Sequence, residues 1–349
     1  MPDHVGALLA AAVGGGRIPG AVAMAGRGEV TLGRWVAGQA DAIRPRPMRA
    51  ETVFDLASLT KVVATTTLTL ALAGQGALSL DDPVIGYLPE FTACRDGPVT
   101  VGHLLTHTAG LPAGRPFHRW CGSREELLAD LCRTPLDAPP GSRVVYSDLG
   151  FIALGEVVAA VTAAPLGEAV SRLVTGPLGM TATGFNPNGP ADCFAATERR
   201  ADGTAWTGTV HDENARLMGG VAGHAGLFAP AADLARFAAW WVSGTDAVVP
   251  AAVRRAASTC QTAATGRPLG TGRRGFGWAC SGDGLDILGG HWSPSSVSHT
   301  GFTGTSLALD PVSGLWLVLL TNAVHFGRDA TEVQALRRAV HRAVTTRWP

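Results

Sequence analysis

Residues 53–74 read VFDLASLTKVVATTTLTLALAG, an apolar stretch that encloses one basic side chain. The pattern predicts a buried helix that begins at Ser58 and continues to Leu72, before Gly74 ends it. Ser58 and Lys61 form an S-x-x-K sequence, and on a helix this spacing puts the hydroxyl and the amine one turn apart on the same face. A helix N-terminus favours a developing alkoxide and disfavours an ammonium ion, so we expect Ser58 and a neutral Lys61 to share a proton.

Lys61 is the only lysine in the chain, because every other Lys or Arg position carries arginine. Arginine stays protonated in proteins, whereas the pKa of a buried lysine can be lowered until the amine acts as a base. The alternative interpretation is a surface lysine on an ordinary helix, but this would leave the apolar residues 56–72 facing water. The composition therefore favours a chemical role for Lys61.

The composition of the whole chain bounds the class of protein. Its 349 residues are 46% hydrophobic and carry a formal net charge of zero, which suits a globular protein of one large or two interlocked domains. The neutral charge and the lack of a basic run give no reason to expect nucleic acid or a membrane surface as a partner. Since no run of 18 apolar residues is present, a membrane-spanning helix is not predicted.

The N-terminal residues and the cysteines bear on the cellular compartment. Residues 5–13 are apolar, but no Lys or Arg precedes them, so we predict a folded helix capped by Asp3 rather than a signal peptide. The cysteines contain no CxxC pair, which disfavours a zinc site and a disulfide framework. We therefore expect free thiols and a cytoplasmic protein. The six cysteines are Cys94, Cys121, Cys132, Cys193, Cys260 and Cys280.

Strand and helix patterns divide the chain into two parts. Residues 20–39 hold two apolar runs around a Gly-Arg-Gly turn and predict a β-hairpin. Strand signals return after Gly275, and an amphipathic helix ends the chain. We therefore predict an α/β domain built from residues 1–80 and 273–349 around a mostly helical insertion at 81–272. The helical patterns of the insertion are 101–109, 124–132, 149–163, 167–174 and 231–243, the later strand signals are 276–279, 297–300, 305–309 and 315–321, and the last helix carries Val333, Leu336, Val340 and Val344 on one face.

Tyr146 is one of only two tyrosines and stands where a helix is predicted to begin. A phenol at such a junction can relay a proton between a nucleophile and a leaving group, provided that a nearby cation stabilises its phenolate. An isolated tyrosine is more often packed, with its hydroxyl capping a turn. From this residue alone both interpretations stay open.

His299, Thr300, Gly301 and Phe302 lie in a predicted strand. Gly301 would let the backbone and a substrate approach closely, so that a backbone N–H of this segment could face the nucleophile. The alternative is a strand interrupted by a bulge, with His299 as a hydrogen-bonded core histidine.

Taken together, these segments carry a family resemblance. S-x-x-K, then Y-x-[ND], then [KH]-[TS]-G, in this order, resembles the serine β-lactamase and penicillin-binding-protein superfamily. Residues 101–111 and 219–228 also look like segments of that family. The chain is most similar to the branch of class C-like esterases, D-peptidases and acyltransferases. The resemblance implies an antiparallel sheet flanked by helices, with an active site at the interface between this domain and the helical insertion.

The resemblance also implies a role for each matched residue. Ser58 would attack a carbonyl carbon, while Lys61 and Tyr146 take its proton and return it to the leaving group, with no cofactor. The backbone N–H groups of Ser58 and Phe302 would form the oxyanion hole. Water or another nucleophile would then release the acyl group.

Two positions depart from the family pattern. His299 stands where β-lactamases carry lysine, so a permanent positive charge is missing from the place of a β-lactam carboxylate, and penicillin hydrolysis is not expected. Asp148 stands where many relatives have asparagine, and its acceptor-only carboxylate would bind a substrate amine or hydroxyl, or pair with a nearby arginine. Gly301 and His224 complete the set of residues expected to border the substrate; His224 lies in the glycine-rich run 219–226.

The remaining polar motifs have simpler interpretations. His103 and His107 are four residues apart, but the glutamate of an H-E-x-x-H zinc motif is missing, so helix capping and packing are expected instead. Asp212 precedes a helix-like segment and is expected to be a cap. We predict no metal site.

The leading hypothesis is a cytoplasmic serine hydrolase or transacylase that acts on a small-molecule ester or amide. Its partners would be an acyl donor and either water or an amine or alcohol acceptor, a choice that stays open. One alternative is an exported D-peptidase or weak β-lactamase, for which residues 5–13 would have to be a signal peptide. Another is a non-catalytic binding protein of the same fold, against which the presence of Ser58, Lys61 and Tyr146 argues.

Overall fold

A seven-stranded antiparallel sheet is the central element of the computed structural model, which describes residues 3–92, 97–262, 272–284 and 286–349. The strands of the molecule are β1 (Gly20–Arg27), β2 (Val30–Asp41), β3 (Arg46–Pro47), β4 (Val53–Asp55), β5 (Gly184–Phe185), β6 (Leu227–Pro230), β7 (Ala279–Cys280), β8 (Val297–Thr300), β9 (Ser306–Leu309) and β10 (Leu315–Thr321). The large sheet has the order β3-β2-β1-β10-β9-β8-β7, so strands from the two ends of the chain meet where β1 pairs with β10.

Helices cover both faces of this sheet. The helices are α1 (His4–Gly14), α2 (Thr67–Gly74), α3 (Val101–Leu105), α4 (Arg124–Arg133), α5 (Asp148–Thr162), α6 (Leu166–Val170), α7 (Glu213–Leu217), α8 (Ala231–Ser243), α9 (Ala251–Ala257) and α10 (Thr331–Arg347), with π-helical segments at Lys61–Thr66 and Ser171–Thr175. One face of β1 and β10 packs against α8, and α1 and α10 pack on the other side. All of β10 is buried, as expected for a strand covered on both faces.

The predicted hairpin, strands and last helix are confirmed with small changes in their ends. The residues expected on the apolar face of α10 are buried. Leu336, Val340 and Val344 pack with α1 and the sheet in one hydrophobic cluster. The strand predicted at 276–279 begins only at Ala279. The predicted Asp3 cap is present, since its carboxylate accepts a hydrogen bond from the Gly6 N–H at 3.2 Å.

A second, smaller sheet of order β4-β6-β5 was not predicted. It joins the strand before Ser58 to two short strands of residues 81–272, which the sequence patterns described as helix and loop. Strands of two to four residues carry too little periodicity to be recognised in a sequence. This sheet links the nucleophile segment to the middle of the chain, while the predicted domain boundaries themselves stay a prediction.

The structure also bears on the cysteines and on the question of a membrane span. The described cysteines are free thiols, and Cys94 lies outside the described residues.

In the described part of the chain no single helix has the length and hydropathy of a membrane span. Only α5 together with Leu166–Thr175 meets those criteria, as a pair bent by 74°.

Candidate active site

Ser58 follows β4 at a turn with an unusual backbone conformation. Ala57, the residue before it, has φ = +46°, a region that costs a residue with a Cβ on the order of 1–3 kcal/mol. The Asp55 carboxylate holds this turn by accepting a hydrogen bond from the Ala57 N–H at 2.9 Å. The turn leaves Ser58 partly exposed while the residues around it are buried.

The helix after Ser58 begins as a π-helix, Lys61–Thr66, before it continues as α2. Its threonines are poor helix formers, and the hydroxyls of Thr65, Thr67 and Thr69 bond to carbonyl groups. Thr67 Oγ1 donates to the Val62 carbonyl at 2.8 Å, and Thr65 Oγ1 donates to the Gly223 carbonyl at 2.7 Å. The second bond fixes the helix to the glycine-rich run 219–226. No residue of this run is among those that line the cavity described below.

Lys61 lies at the centre of the site and is fully buried. Its Nζ donates to Ser58 Oγ at 2.9 Å and to the His224 carbonyl at 3.2 Å, and it lies 2.7 Å from Asp148 Oδ1. Burial alone would lower the pKa of Lys61, but the Asp148 carboxylate and the Tyr146 hydroxyl outweigh burial and raise the pKa to about 12. The ion pair with Asp148 on α5 thus favours the ammonium form, against the neutral Lys61 that the helix N-terminus alone suggested.

Asp148 has a partner that the sequence did not suggest. The sequence suggested a substrate group or a nearby arginine, whereas the carboxylate pairs with Lys61. The first turn of α5 places Asp148 there, because Ser147 caps this helix by accepting a hydrogen bond from the Gly150 N–H at 3.2 Å. A side chain at N1 of a helix thus supplies the negative charge that keeps Lys61 protonated.

His107 holds Tyr146 in place. The Ser147 N–H donates to His107 Nδ1 at 3.0 Å, the Val145 N–H donates to the His107 carbonyl at 2.9 Å, and the two rings lie 4.6 Å apart. Burial, together with the charges of Arg274 and Lys61, holds the pKa of His107 well below its usual value. The neutral imidazole can therefore accept this bond.

The other predicted cap residues also have structural roles. His103 forms a capping box with Thr100 at the start of α3, as expected. Asp212 accepts a hydrogen bond from the Ala215 N–H at 2.8 Å and caps α7, so the prediction of a cap is confirmed. The same carboxylate lies 2.9 Å from His224 Nε2. His224 therefore contacts Lys61 through its backbone carbonyl, while its ring bonds to Asp212.

His299 is buried beside Tyr146, with ring centroids 5.9 Å apart. Its Nδ1 lies 2.9 Å from the Thr300 carbonyl. Burial, and then the positive charges of Lys61 and Arg274, hold the pKa of His299 well below its usual range. Arg274 comes from another part of the chain, so its charge beside this ring is not visible in the sequence.

We expect wild-type protein and a His299→Gln variant to give the same shape of kcat/KM against pH between about pH 6 and 9. His299 is already neutral in this range, and its protonation begins only as the pH falls through its lowered pKa. The measurement is hydrolysis of a neutral p-nitrophenyl ester, with His4→Gln on the distant helix α1 as control. A wild-type step near pH 6.5 that the His299→Gln variant lacks would contradict this expectation.

Gly301 lies where the strand and the nucleophile turn come together, as the sequence suggested. A Cβ at Gly301 would lie 2.4 Å from the Leu56 carbonyl oxygen and 2.1 Å from Thr305 Oγ1. The next residue, Phe302, has a side chain that is 55% exposed. Among the described residues, neither the N–H of Ser58 nor that of Phe302 has a hydrogen-bond acceptor, so both are free to bind a ligand.

A cavity of about 190 Å³ brings the predicted residues together with two arginines that sequence reasoning missed. Ser58, Tyr146, His299 and Phe302 line this cavity. The two arginines and the remaining lining residues are Arg274, Ala279, Thr300, Gly301, Ala330, Val333, Gln334 and Arg337.

Both arginines are buried, but their positive charges have different partners. Arg274 pairs with Asp283 at 3.0 Å, and its guanidinium faces the Tyr146 ring at 5.6 Å. Arg337 donates to the Gly301 and Thr305 carbonyls at 2.9 and 2.7 Å. The cavity wall therefore carries two permanent cations that the sequence did not indicate. No signal in the sequence distinguishes these two from the many other arginines.

No described group of three or more histidine, cysteine, aspartate or glutamate side chains is placed to hold a metal ion. The absence of a metal site stays a prediction. The chemistry available from the described side chains is that of a serine hydroxyl, a charged lysine, a phenol and two backbone N–H groups.

Known proteins are similar to this chain over most of its length. A protein-family model described as Beta-lactamase matches residues 5–342. The "Putative D-alanyl-D-alanine carboxypeptidase" of Escherichia coli (strain K12) is 32% identical over 319 residues, which cover 80% of this chain and 71% of that protein. The "N-acetylmuramyl-L-alanine amidase" of Bacillus subtilis (strain 168) is 32% identical over 317 residues, which cover 81% of this chain and 70% of that protein.

A solved structure is similar to this chain over nearly its whole length. EstCE1, described as a hydrolase with promiscuous acyltransferase activity, is 26% identical, with a TM-score of 0.78 over 96% of this chain and 97% of its own. The similarity therefore covers the sheet, the helices and the segments that carry the site.

Proposed function

The chain belongs to the β-lactamase family, and on that premise we propose that it is a serine hydrolase or transacylase that acts on a small-molecule ester or amide through Ser58. The observation that supports this most directly is the hydrogen bond of 2.9 Å from Lys61 Nζ to Ser58 Oγ at the cavity wall. A buried ammonium that donates to a partly exposed hydroxyl is an arrangement for stabilising an alkoxide.

In the proposed acylation step, Tyr146 acts as a phenolate, whose negative charge the neighbouring Lys61 and Arg274 cations stabilise. Ser58 Oγ attacks the carbonyl carbon while its proton passes to the phenolate oxygen of Tyr146. Lys61 is charged in the resting protein, so it orients the hydroxyl and stabilises negative charge on both oxygens rather than accepting the first proton. The Lys61 ammonium and the Arg274 guanidinium face the Tyr146 ring at 5.0 and 5.6 Å. Tyr146 then returns the proton to the leaving group as the tetrahedral intermediate collapses.

The free N–H groups of Ser58 and Phe302 are the proposed donors to the oxyanion. Loss of one such donor typically costs about 3–4 kcal/mol in the barrier. In the second step water, an amine or an alcohol attacks the acyl-enzyme, and the same groups act in reverse. Transfer to a nucleophile other than water is supported by the similarity to EstCE1.

A second candidate, D-peptidase activity, is favoured by two observations. The name of the Escherichia coli relative is one, and the fixed Arg274 cation in the cavity, a group suited to a substrate carboxylate, is the other. We nevertheless propose a cytoplasmic enzyme, because Val5, Leu9 and Ala12 of α1 are packed in the core and would be lost with a signal peptide. N-terminal sequencing of the native protein decides this point.

The test of the proposed function is covalent labelling followed by product analysis. We expect a fluorophosphonate to add to Ser58, as identified by peptide mass spectrometry, and an activated ester to be turned over with a burst of leaving group. Incubation with the ester and a panel of amines and alcohols then shows whether amide, new ester or free acid forms. A folded protein that neither reacts with the probe nor turns over any ester would instead be a non-catalytic binding protein.

A further inference from the structure

The segment His211-Asp212-Glu213-Asn214 contacts the site at several points, although the proposed mechanism uses none of its residues. His211, its first residue, is buried and makes contacts through both its backbone and its ring. The His211 N–H donates to Asp55 Oδ2 at 2.6 Å, and the imidazole Nε2 lies 3.1 Å from Glu198 Oε2. His211 is therefore fixed both by its backbone and by its ring.

Asp55 connects this segment to the nucleophile turn. One carboxylate oxygen accepts the His211 N–H, and the other accepts the N–H of Ala57, whose φ is positive. The side chain is 2% exposed, so few other groups compete for its two oxygens. A single buried carboxylate thus joins the residue before Ser58 to His211.

The His211 ring in turn supports Phe302. The two rings are stacked, with centroids 5.7 Å apart and an interplanar angle of 17°. The Arg328 guanidinium lies 5.9 Å from the centroid of the Phe302 ring. It also donates two hydrogen bonds of 2.7 Å to Glu198, the residue beside the His211 ring. Because half of the Phe302 side chain faces solvent, these contacts replace the core packing that would otherwise hold its backbone.

Two threonines that follow Phe302 also bind the turn that carries Ser58. Thr303 Oγ1 donates to the Asp55 carbonyl at 2.8 Å, and Thr305 Oγ1 donates to the Leu56 carbonyl at 3.0 Å. The turn that carries Ser58 and the turn that carries Phe302 are therefore joined by backbone-directed bonds on one side and by Asp55 and His211 on the other.

We propose that Asp55 and His211 are positioning residues that set the separation and direction of the Ser58 and Phe302 N–H groups, and so determine how well the site stabilises an oxyanion. This inference rests on the proposed function, since it needs a tetrahedral intermediate at Ser58. Preorganised donors stabilise a transition state only when they point at the developing charge, so a small displacement of either turn weakens catalysis more than substrate binding.

The first test is Asp55→Asn, which keeps the shape of the side chain but turns one acceptor into a donor. An amide cannot accept from both N–H groups, so one of the two turns is released. We expect kcat/KM for a p-nitrophenyl ester to fall about 10- to 100-fold, through kcat, with KM changed less than about threefold. The inhibition constant of phenylboronic acid, whose adduct places an oxygen in the oxyanion hole, should rise in proportion.

A matched control separates positioning from general loss of stability. Asp233 is also buried and accepts from the Ala182 N–H at 2.9 Å and from Thr183 Oγ1 at 2.8 Å, but it lines no part of the cavity. Both bonds go to Oδ2, so the control is Asp233→Ala, which removes this acceptor. We expect Asp233→Ala to lower Tm while the folded protein keeps its kcat/KM and its boronate affinity. If Asp55→Asn also keeps both, the inference is overturned.

A second pair of variants applies if Asp55→Asn does not fold. His211→Ala removes the ring beneath Phe302, whereas His211→Phe keeps an aromatic ring and loses only the contact with Glu198. We expect kcat and boronate affinity to fall together in the alanine variant and to recover largely in the phenylalanine variant. Wild-type values of kcat and boronate affinity in both His211 variants would refute a positioning role for His211.

Failure of this inference can be told apart from failure of the proposed function. A wild-type protein that does not label at Ser58 and turns over no ester contradicts the function itself. A wild-type protein that labels and turns over, combined with an unaffected Asp55→Asn variant, contradicts only the positioning role.

Discussion

Ser58→Ala is expected to lower kcat/KM for ester hydrolysis by about 10⁴-fold or more and to abolish the covalent adduct. The variant has no nucleophile, so only the oxyanion donors and substrate binding remain. Its fold should persist, because the bond to Ser58 Oγ is only one of the contacts of Lys61, which keeps the His224 carbonyl and Asp148 as partners. Steady-state kinetics measures the loss of turnover, intact-protein mass spectrometry detects the covalent adduct, and Tm reports on the fold.

Ser298→Ala is the matched control for that experiment. Ser298 is a buried serine on β8, one residue from His299, and does not line the cavity. The control should keep wild-type turnover within about threefold, since surrounding packing changes little. Retention of more than about one per cent of wild-type turnover by Ser58→Ala would place the nucleophile elsewhere.

Lys61→Arg is expected to lower the rate of acylation by at least about 10²-fold. The tetrahedral ammonium is within 2.7 to 3.2 Å of three oxygen atoms, on Ser58, His224 and Asp148. A planar guanidinium keeps the charge but cannot direct one nitrogen at all three, and it needs more room in a fully buried position. The measurement is the burst rate with an activated ester, and near-normal acylation would contradict the role given to Lys61.

Asp148→Asn distinguishes a charged Lys61 from a neutral one. Removing the carboxylate leaves burial to act on Lys61, so the pKa of Lys61 should fall from about 12. If Lys61 works as an ammonium, kcat/KM in the variant should decline at alkaline pH where the wild type is still active. If Lys61 is instead the base, kcat/KM of the variant should rise near pH 7, because more of the neutral amine is then present.

The family and the general architecture could be predicted because their signals are local. The S-x-x-K spacing needs only the geometry of one helical turn to bring a hydroxyl and an amine together, and the alternating strands and the apolar face of α10 each lie within a single element. The structure and the relatives confirm the predicted family and fold. The short strands β5 and β6 could not be predicted, because they are held by pairing partners distant in the chain.

The ionisation of the site could not be read from the residues that form it. His299 and Lys61 stand at the expected places, yet burial and then the Lys61 charge lower the pKa of His299. For Lys61, Asp148 raises the pKa against the effect of burial. A helix N-terminus acts on a lysine through partial charges, whereas a carboxylate at 2.7 Å acts through a full one, and the closer and larger charge prevails. Sequence spacing contains no information on such contacts.

The sequence by itself determined the nucleophile candidate, its neighbours Lys61 and Tyr146, the family and the use of both chain ends in one sheet. Only the tertiary structure decided that Lys61 pairs with Asp148, that His107 holds Tyr146, and that Asp55 and His211 join the two turns bearing the free N–H groups. The physical reason is that hydrogen bonds and ion pairs depend on distances of about 3 Å between side chains. Folding sets those distances between residues that are remote in the chain.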